Sequence, residues 1–184
     1  MTTETPAVGR PAFDPAPTFG LAAAVAAAWC TVILFAQHAH VGAVGHRVAL
    51  TLHLASLAIG FGAVLATDGY GLAVLAGRRT VAQMLDFSGL SDRFIWSGFA
   101  GLAVSGIFLD PDFGSGWTDL NLAAVLVAAL NGVYARTIRE RLPALPPGAG
   151  FRDLPRVWIA RAACAALLSQ AAWWTSILVG SLTS

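Results

Sequence analysis

The chain contains no lysine, and its other scarcities also exclude classes of protein. Without a lysine amine no Schiff base can form, which excludes a covalently held retinal. Charged residues make up only 11% of the sequence, whereas a soluble domain carries roughly 25%. The net charge of +1 provides no basic face for phosphate groups, so nucleic acid is excluded as a partner.

Sulfur-containing residues are equally scarce. Cys30 and Cys164 stand inside apolar runs, where we expect small buried side chains, with a disulfide or redox pair as the weaker alternative. The methionines, Met1 and Met84, are too few for a thioether relay of Cu(I). The sequence has no Ser-His-Asp order, no HExxH motif and no carboxylates that would pair in a cleft, so it gives no catalytic constellation. If the protein is an enzyme, membrane redox activity is the class that fits.

Long apolar runs dominate what is present. The sequence is 57% hydrophobic with a mean hydropathy of +0.69, and five stretches approach the about 20 residues that cross a bilayer. They cover residues 19–41, 47–66 (alternatively on to residue 76), 94–109, 118–135 and 157–182. The sequence therefore predicts an all-α integral membrane protein in a lipid bilayer. Residues 19–184 form a five-transmembrane-helix bundle behind a flexible leader of residues 1–18.

Arginine predicts the orientation. The leader and the loops after the second and fourth spans contain nine arginines, whereas the opposite side has only Arg47. Because cytoplasmic loops collect basic residues, we expect the N-terminus to be cytoplasmic and the C-terminus to be outside, in the inner membrane of a bacterium. Tryptophans would form the two interfacial belts, with Trp117, Trp173 and Trp174 outside and Trp96 and Trp158 inside.

Small residues recur every four positions on two spans and predict close helix packing. The rows are Ser97, Gly101 and Ser105 on the third span and Ala58, Gly62 and Ala66 on the second. Two ionisable residues, Asp68 and Arg161, lie at similar predicted depth near the inner side. They either pair, or Arg161 extends to the interface.

All four histidines of the chain fall in one stretch, AQHAHVGAVGHRVALTLHLAS, at the predicted outer end of the first two spans. His53 would lie about 9 Å inside the second span, where an ionisable side chain needs a partner. Gln170, near the middle of the fifth span, would contact His53 or line a cavity. The remaining histidines, His38, His40 and His46, would lie at the membrane surface.

These positions predict, as the leading function, a histidine site that binds haem b or a transition metal, with electron transfer as its candidate role.

 A haem would be bound by His53 together with His38 or His40, or by His53 alone. A transition metal ion (Cu, Zn or Fe) would instead be bound by His38, His40, His46 and His53. The outer aspartates would add a harder ligand. Three alternatives remain open: a packing role for the histidines, a transporter of a small solute or metal ion lined by His53 and Gln170, and a scaffold subunit of a larger membrane complex or a homo-oligomer.

Two segments carry a family resemblance. LHLASLAIGFGAVLATD, followed by RFIWSGFAGLAVSGIFL, resembles the core of the copper-resistance D-type membrane proteins and, more loosely, that of the haem-associated J-type protoporphyrinogen oxidase. The resemblance implies a functional role for His53, with Gly60 and Gly62 as packing positions. The oxidase depends on a lysine that this chain lacks, which argues against the same activity, and the scarcity of methionine argues against copper transport.

Overall fold

The computed structural model describes residues 15–142, 145–146 and 148–183, and most of these residues are helical. The five long helices are α1 (Ala16–Ala36), α2 (Ala43–Leu75), α3 (Val81–Gly106), α4 (Gly116–Arg141) and α5 (Arg156–Thr183). One turn of 3-10 helix, Phe151–Asp153, precedes α5, and the described residues contain no strand. The prediction of an all-α bundle is thereby confirmed.

The predicted leader and the first helix meet earlier than expected. Residues 1–14 of the leader lie outside the described part of the chain, but residues 16–18 already form the first turn of α1. Pro17 fits there because the N–H groups of a first helical turn have no intrahelical partner. At its other end α1 stops at Ala36, five residues before the predicted boundary, so His38 and His40 lie in the connection to α2.

Four helices, α1, α2, α4 and α5, are long and apolar enough to cross a membrane. Their large apolar side chains point outward on every side, as at Phe19, Leu167 and Leu182, which are 72%, 71% and 76% exposed. Contiguous exposed apolar surface of this extent requires lipid or protein to cover it. The molecule is therefore a multi-pass helical bundle whose surroundings are a lipid bilayer.

Helix α3 is longer and more polar than its prediction. The third span was expected to begin at residue 94, but the helix begins at Val81, behind a capping box in which Thr80 and Gln83 exchange hydrogen bonds of 3.1 and 3.2 Å. Such a box satisfies two of the free N–H groups at a helix start. The added residues include Asp86 and Asp92, so the apolar part of α3 is only its second half.

The helices pack as two antiparallel pairs, α2 with α3 and α4 with α5, and α1 lies mainly against α4. A core of Phe61, Val64, Leu102 and Trp173 joins the two pairs. The ring of Trp173 lies 5.6 Å from that of Phe61 and is only 6% exposed. Its predicted place in an interfacial belt is therefore wrong, because the indole fills the space between α2 and α5.

The two cysteines also differ from expectation. Cys30 on α1 and Cys164 on α5 are both free and exposed, so the prediction of buried side chains is wrong. The apolar runs around them face outward into the surroundings that cover the bundle, which an apolar sequence alone does not distinguish from the core.

The alternating helix directions define two ends of the bundle. The histidine end carries the α1–α2 connection, with His38 and His40, and the α3–α4 loop of residues 107–115. The arginine end carries the α2–α3 turn, with Arg78 and Arg79, and the α4–α5 connection.

Candidate functional site

His53 is held between α2 and α3 by a buried hydroxyl group. Its Nδ1 lies 3.0 Å from Oγ of Ser105. Ser105 itself is only 4% exposed and donates to the carbonyl of Gly101 at 2.5 Å. His53 is therefore a fixed side chain of the helix interface, about 15 Å from the start of α2.

Close packing of glycine residues between α2 and α3 brings His53 and Ser105 within hydrogen-bonding distance. A Cβ on Gly98 would lie 2.5 Å from Cα of Gly60, and a Cβ on Gly101 would overlap the hydroxyl of Ser56. The two helices therefore touch over about one turn, next to the turn that carries His53 and Ser105. Small residues permit such an approach, and the short distance is what lets a serine hydroxyl reach an imidazole on the neighbouring helix.

The predicted rows of small residues are only partly correct. Gly101 and Ser105 line the contact as expected, but Ser97 is exposed. On α2 the contact uses Ser56 and Gly60, whereas nothing lies within 4 Å of a Cβ placed on Gly62. The row of Ala58, Gly62 and Ala66 is thus not the contact row, because it lies on another face of the helix.

His40 and His46 meet a single carboxylate at the histidine end. Nδ1 of His40 lies 3.3 Å from Oδ1 of Asp110, and Nδ1 of His46 lies 3.7 Å from Oδ2. The φ angle of Asp110 is 47°, a left-handed conformation that L-residues seldom adopt. The side chains are well exposed, 81% for His40, so these are surface contacts of small energy.

His38 is separate from the other three histidines. Its Nδ1 lies 2.9 Å from the carbonyl oxygen of Leu34, one turn earlier on the same chain segment. The four histidines therefore occupy three different environments, and His53 bonds to a hydroxyl group and not to a second histidine. Within the described residues, no group of three His, Cys, Asp or Glu side chains is close enough to hold a metal ion.

Gln170 bonds to Asp68 in place of its predicted partner, His53. Its Nε2 donates to Oδ2 of Asp68 at 2.6 Å, and its Oε1 accepts from Nε1 of Trp174 at 3.0 Å. Asp68 and Gln170 are both half-buried, between α2 and α5. Arg161 has its guanidinium 5.2 Å from the ring of Trp158 on its own helix. Of the two alternatives for Asp68 and Arg161, the structure does not form the pair, because Asp68 bonds to Gln170.

His53 and Asp68 occupy the same face of α2. They are 15 residues apart, about 22 Å along the helix, and Gly60 and Val64 lie between them on that face. The apolar core of Phe61, Val64, Leu102 and Trp173 fills the bundle between the two polar positions. Asp68 was visible in the sequence as a carboxylate in an apolar run, but its partner on α5 was not.

Other polar side chains hold the helices together. Arg139 of α4 donates to Asp92 at 3.1 Å and to the carbonyl of Ser88 at 3.3 Å, which ties α4 to α3. Asn131, 6% exposed, donates to the carbonyl of Ala165 on α5 at 2.9 Å, and its Oδ1 has no hydrogen-bond partner. These contacts join neighbouring helices and do not converge on a common point.

No family model matches this sequence, and neither curated proteins nor solved structures give a match. The resemblance to the copper-resistance D-type and J-type membrane proteins therefore stays a prediction.

Proposed function

We propose that the protein is a small membrane transporter in which an ion moves along α2 between His53 and Asp68. One observation carries the proposal: the two ionisable side chains share a face of α2, and each is bonded by a polar group from another helix. Ionisable residues within spans are energetically unfavourable, and they commonly mark ion and proton pathways. Gln170 belongs to this pathway as the group that orients Asp68.

The apolar core between the two positions acts as a closed gate. Phe61, Val64, Leu102 and Trp173 are each at most 9% exposed and form an apolar layer between the two positions. Hydrophobic constrictions block ions by excluding water and open when the helices move or water enters. The structure then corresponds to an occluded state, in which each polar position communicates with its own end of the bundle.

All five helices cross the bilayer in this proposal, with the arginine end in the cytoplasm of a bacterial cell. Helix α2 has 33 residues, about 50 Å, which exceeds the hydrocarbon thickness of about 30 Å. Its last turns and the polar first half of α3 extend beyond the bilayer on the inner side. The apolar second half of α3 crosses beside α2 in this proposal, which its packing against α2 supports.

The orientation is tested by cysteine labelling. Cys30 and Cys164 are replaced by serine, and a single cysteine is then introduced by Asp112→Cys or by Arg152→Cys. A charged maleimide added to intact cells is expected to label the first variant and not the second. Labelling of Arg152→Cys alone from outside would show that the orientation is the opposite one.

Transport is tested in liposomes that contain the purified protein and either a pH-sensitive or a zinc-sensitive dye. The protein is expected to dissipate an imposed gradient of protons or of Zn²⁺ faster than protein-free liposomes do. His53→Gln and Asp68→Asn are expected to remove this flux. Two exposed residues provide matched controls, His38→Gln and Asp86→Asn, which are expected to retain it. A protein that dissipates neither gradient would refute the proposal.

A second candidate function, binding of haem b or a transition metal at His53, has one specific observation in its favour. Histidines that bind metals usually place one ring nitrogen on a neighbouring hydrogen-bonding group, as Nδ1 of His53 is placed on Ser105. Because His38 and His40 bond elsewhere, His53 would be the single protein ligand of the haem. Absorption spectra of the purified protein, oxidised and reduced, test for bound haem, and elemental analysis tests for a bound metal. A haem band that survives in His53→Gln would exclude His53 as the haem ligand.

A further inference from the structure

We infer that the transported ion is a proton, that Nε2 of His53 accepts it, and that Ser105 positions the imidazole for this purpose. The inference rests on the proposed transport function, and it adds the identity of the ion and of the atom that receives it. The argument begins with the single hydrogen of the Ser105 hydroxyl.

The hydroxyl hydrogen of Ser105 is already donated to a backbone carbonyl group. Ser105 Oγ lies 2.5 Å from the carbonyl oxygen of Gly101 and 3.3 Å from that of Leu102, and a carbonyl oxygen can only accept. Toward His53 the hydroxyl oxygen therefore acts as an acceptor. Nδ1 of His53, 3.0 Å away, must carry the hydrogen of that bond.

A neutral imidazole has one N–H group and one nitrogen with a free lone pair. With the hydrogen on Nδ1, the lone pair is on Nε2. A proton that binds there gives an imidazolium whose Nδ1–H remains donated to Ser105, and its release restores the starting state. The ring therefore needs no rotation to accept and return a proton.

The surroundings of both positions suit a proton better than a metal ion. A transported metal ion must exchange its water shell for several ligands, typically three or four from His, Cys or carboxylate groups. His53 is joined by a hydroxyl, and Asp68 is joined by an amide. No group of three such ligands exists among the described residues, whereas a proton requires only one basic atom at each position.

Other ionisable groups at the histidine end lie nearer the surface. On the α1–α2 side they are Cys30, His38, His40, His46 and Arg47; on the α3–α4 side they are Asp110, Asp112 and Asp119. The outer half of α3 beside His53, residues 94–106, contains no ionisable side chain, and neither does α5 beyond Gln170. His53 is thus the innermost titratable group on this side of the apolar core.

The test combines a spectroscopic and a transport measurement. The ¹⁵N chemical shifts of the imidazole nitrogens are measured at pH 8 in lipid nanodiscs, with the His53 signals assigned by their loss in His53→Gln. Wild-type protein is expected to show Nδ1 protonated and Nε2 unprotonated. Ser105→Ala is expected to lose this pattern, whereas Ser105→Thr, which keeps the hydroxyl, is expected to retain it.

Gly106→Ala is the matched control, because its added Cβ would lie 3.7 Å from Cε1 of His53, an ordinary contact that leaves the hydroxyl in place. In the liposome assay, proton flux is expected to fall about fivefold in Ser105→Ala, the factor that corresponds to one hydrogen bond of about 1 kcal/mol. Flux in Gly106→Ala is expected to equal that of the wild type.

The outcomes separate the two proposals. Protonation of Nε2 in the wild-type spectrum, or an unchanged spectrum in Ser105→Ala, would overturn the role of Ser105. Dissipation of the Zn²⁺ gradient without the proton gradient would overturn the proton as the ion but leave the transport function standing. If neither gradient is dissipated, the transport function fails and the inference fails with it.

Discussion

Replacing Gly98 by alanine places a methyl group where α2 and α3 leave no room for one. The new Cβ would lie 2.5 Å from Cα and from N of Gly60 and 2.7 Å from the carbonyl oxygen of Ser56. All three are backbone atoms, so no side-chain rotation relieves the overlap. The helices must separate by about 0.9 Å to restore the roughly 3.4 Å of ordinary van der Waals contact.

The same separation acts on the candidate site. The His53–Ser105 bond of 3.0 Å would lengthen to about 3.9 Å, which is too long for a hydrogen bond. Overpacking costs about 1–3 kcal/mol and the lost hydrogen bond about 1 kcal/mol, while alanine gains about 1 kcal/mol over glycine in helix propensity. The free energy of unfolding of Gly98→Ala should therefore fall by about 1–3 kcal/mol.

Gly62→Ala is the matched control, since it makes the same substitution on a face of α2 where nothing lies within 4 Å. Its stability should equal that of the wild type or rise by up to about 1 kcal/mol. Denaturant-induced unfolding in detergent measures both variants, and the ¹⁵N spectrum of His53 reports the hydrogen bond. Equal stability of the two variants, with an unchanged His53 spectrum in Gly98→Ala, would refute the described helix contact.

Further predictions concern other parts of the bundle. Arg139→Ala should lower the free energy of unfolding by about 1–3 kcal/mol, because Arg139 joins two helices and is only 24% exposed; Arg136→Ala, at an exposed pair within one helix, should lower it by about 0.5 kcal/mol or less. Thermal or denaturant unfolding that ranks them in the reverse order would contradict the contacts. Val64→Thr adds a hydroxyl to the gate at similar size and should raise proton flux in liposomes several-fold; an unchanged flux would exclude this gate. Cys30 and Cys164 should react with a small apolar thiol reagent and resist a charged one in intact vesicles, as measured by mass spectrometry, and a disulfide between them would contradict their placement.

Helix boundaries show where local sequence information was sufficient. The apolar runs located all five helices, because the spacing and length of such runs depend on local composition. The start of α3 was misplaced by thirteen residues, from residue 94 to Val81, although the Thr80–Gln83 capping box is a local signal that was available in the sequence. The end of α1 and the start of α2 also shifted, which moved His38 and His40 into the connection.

The candidate site was less predictable than the helices. His53 was identified from its position in an apolar run, but its partner was sought among the other histidines and at Gln170. The actual partner, Ser105, was noted only as a packing residue, because a serine in an apolar helix usually bonds to its own backbone. Ser105 does that as well, and only the close approach of α2 to α3 makes its oxygen available to His53.

The sequence by itself determined that this protein is helical and apolar on most of its surface, because both properties follow from composition and from the length of the apolar runs. The sequence predicted five membrane spans, whereas four of the helices in the structure are long and apolar enough to cross a membrane. Only the tertiary structure decided which polar groups meet. His53 reaches Ser105, and Asp68 reaches Gln170 across 102 positions of the sequence, because packing at Gly60 and Gly98 and around Trp173 sets the distances between helices. In helices that are apolar on every side, no periodicity marks the inward face, so these pairings had no local signal.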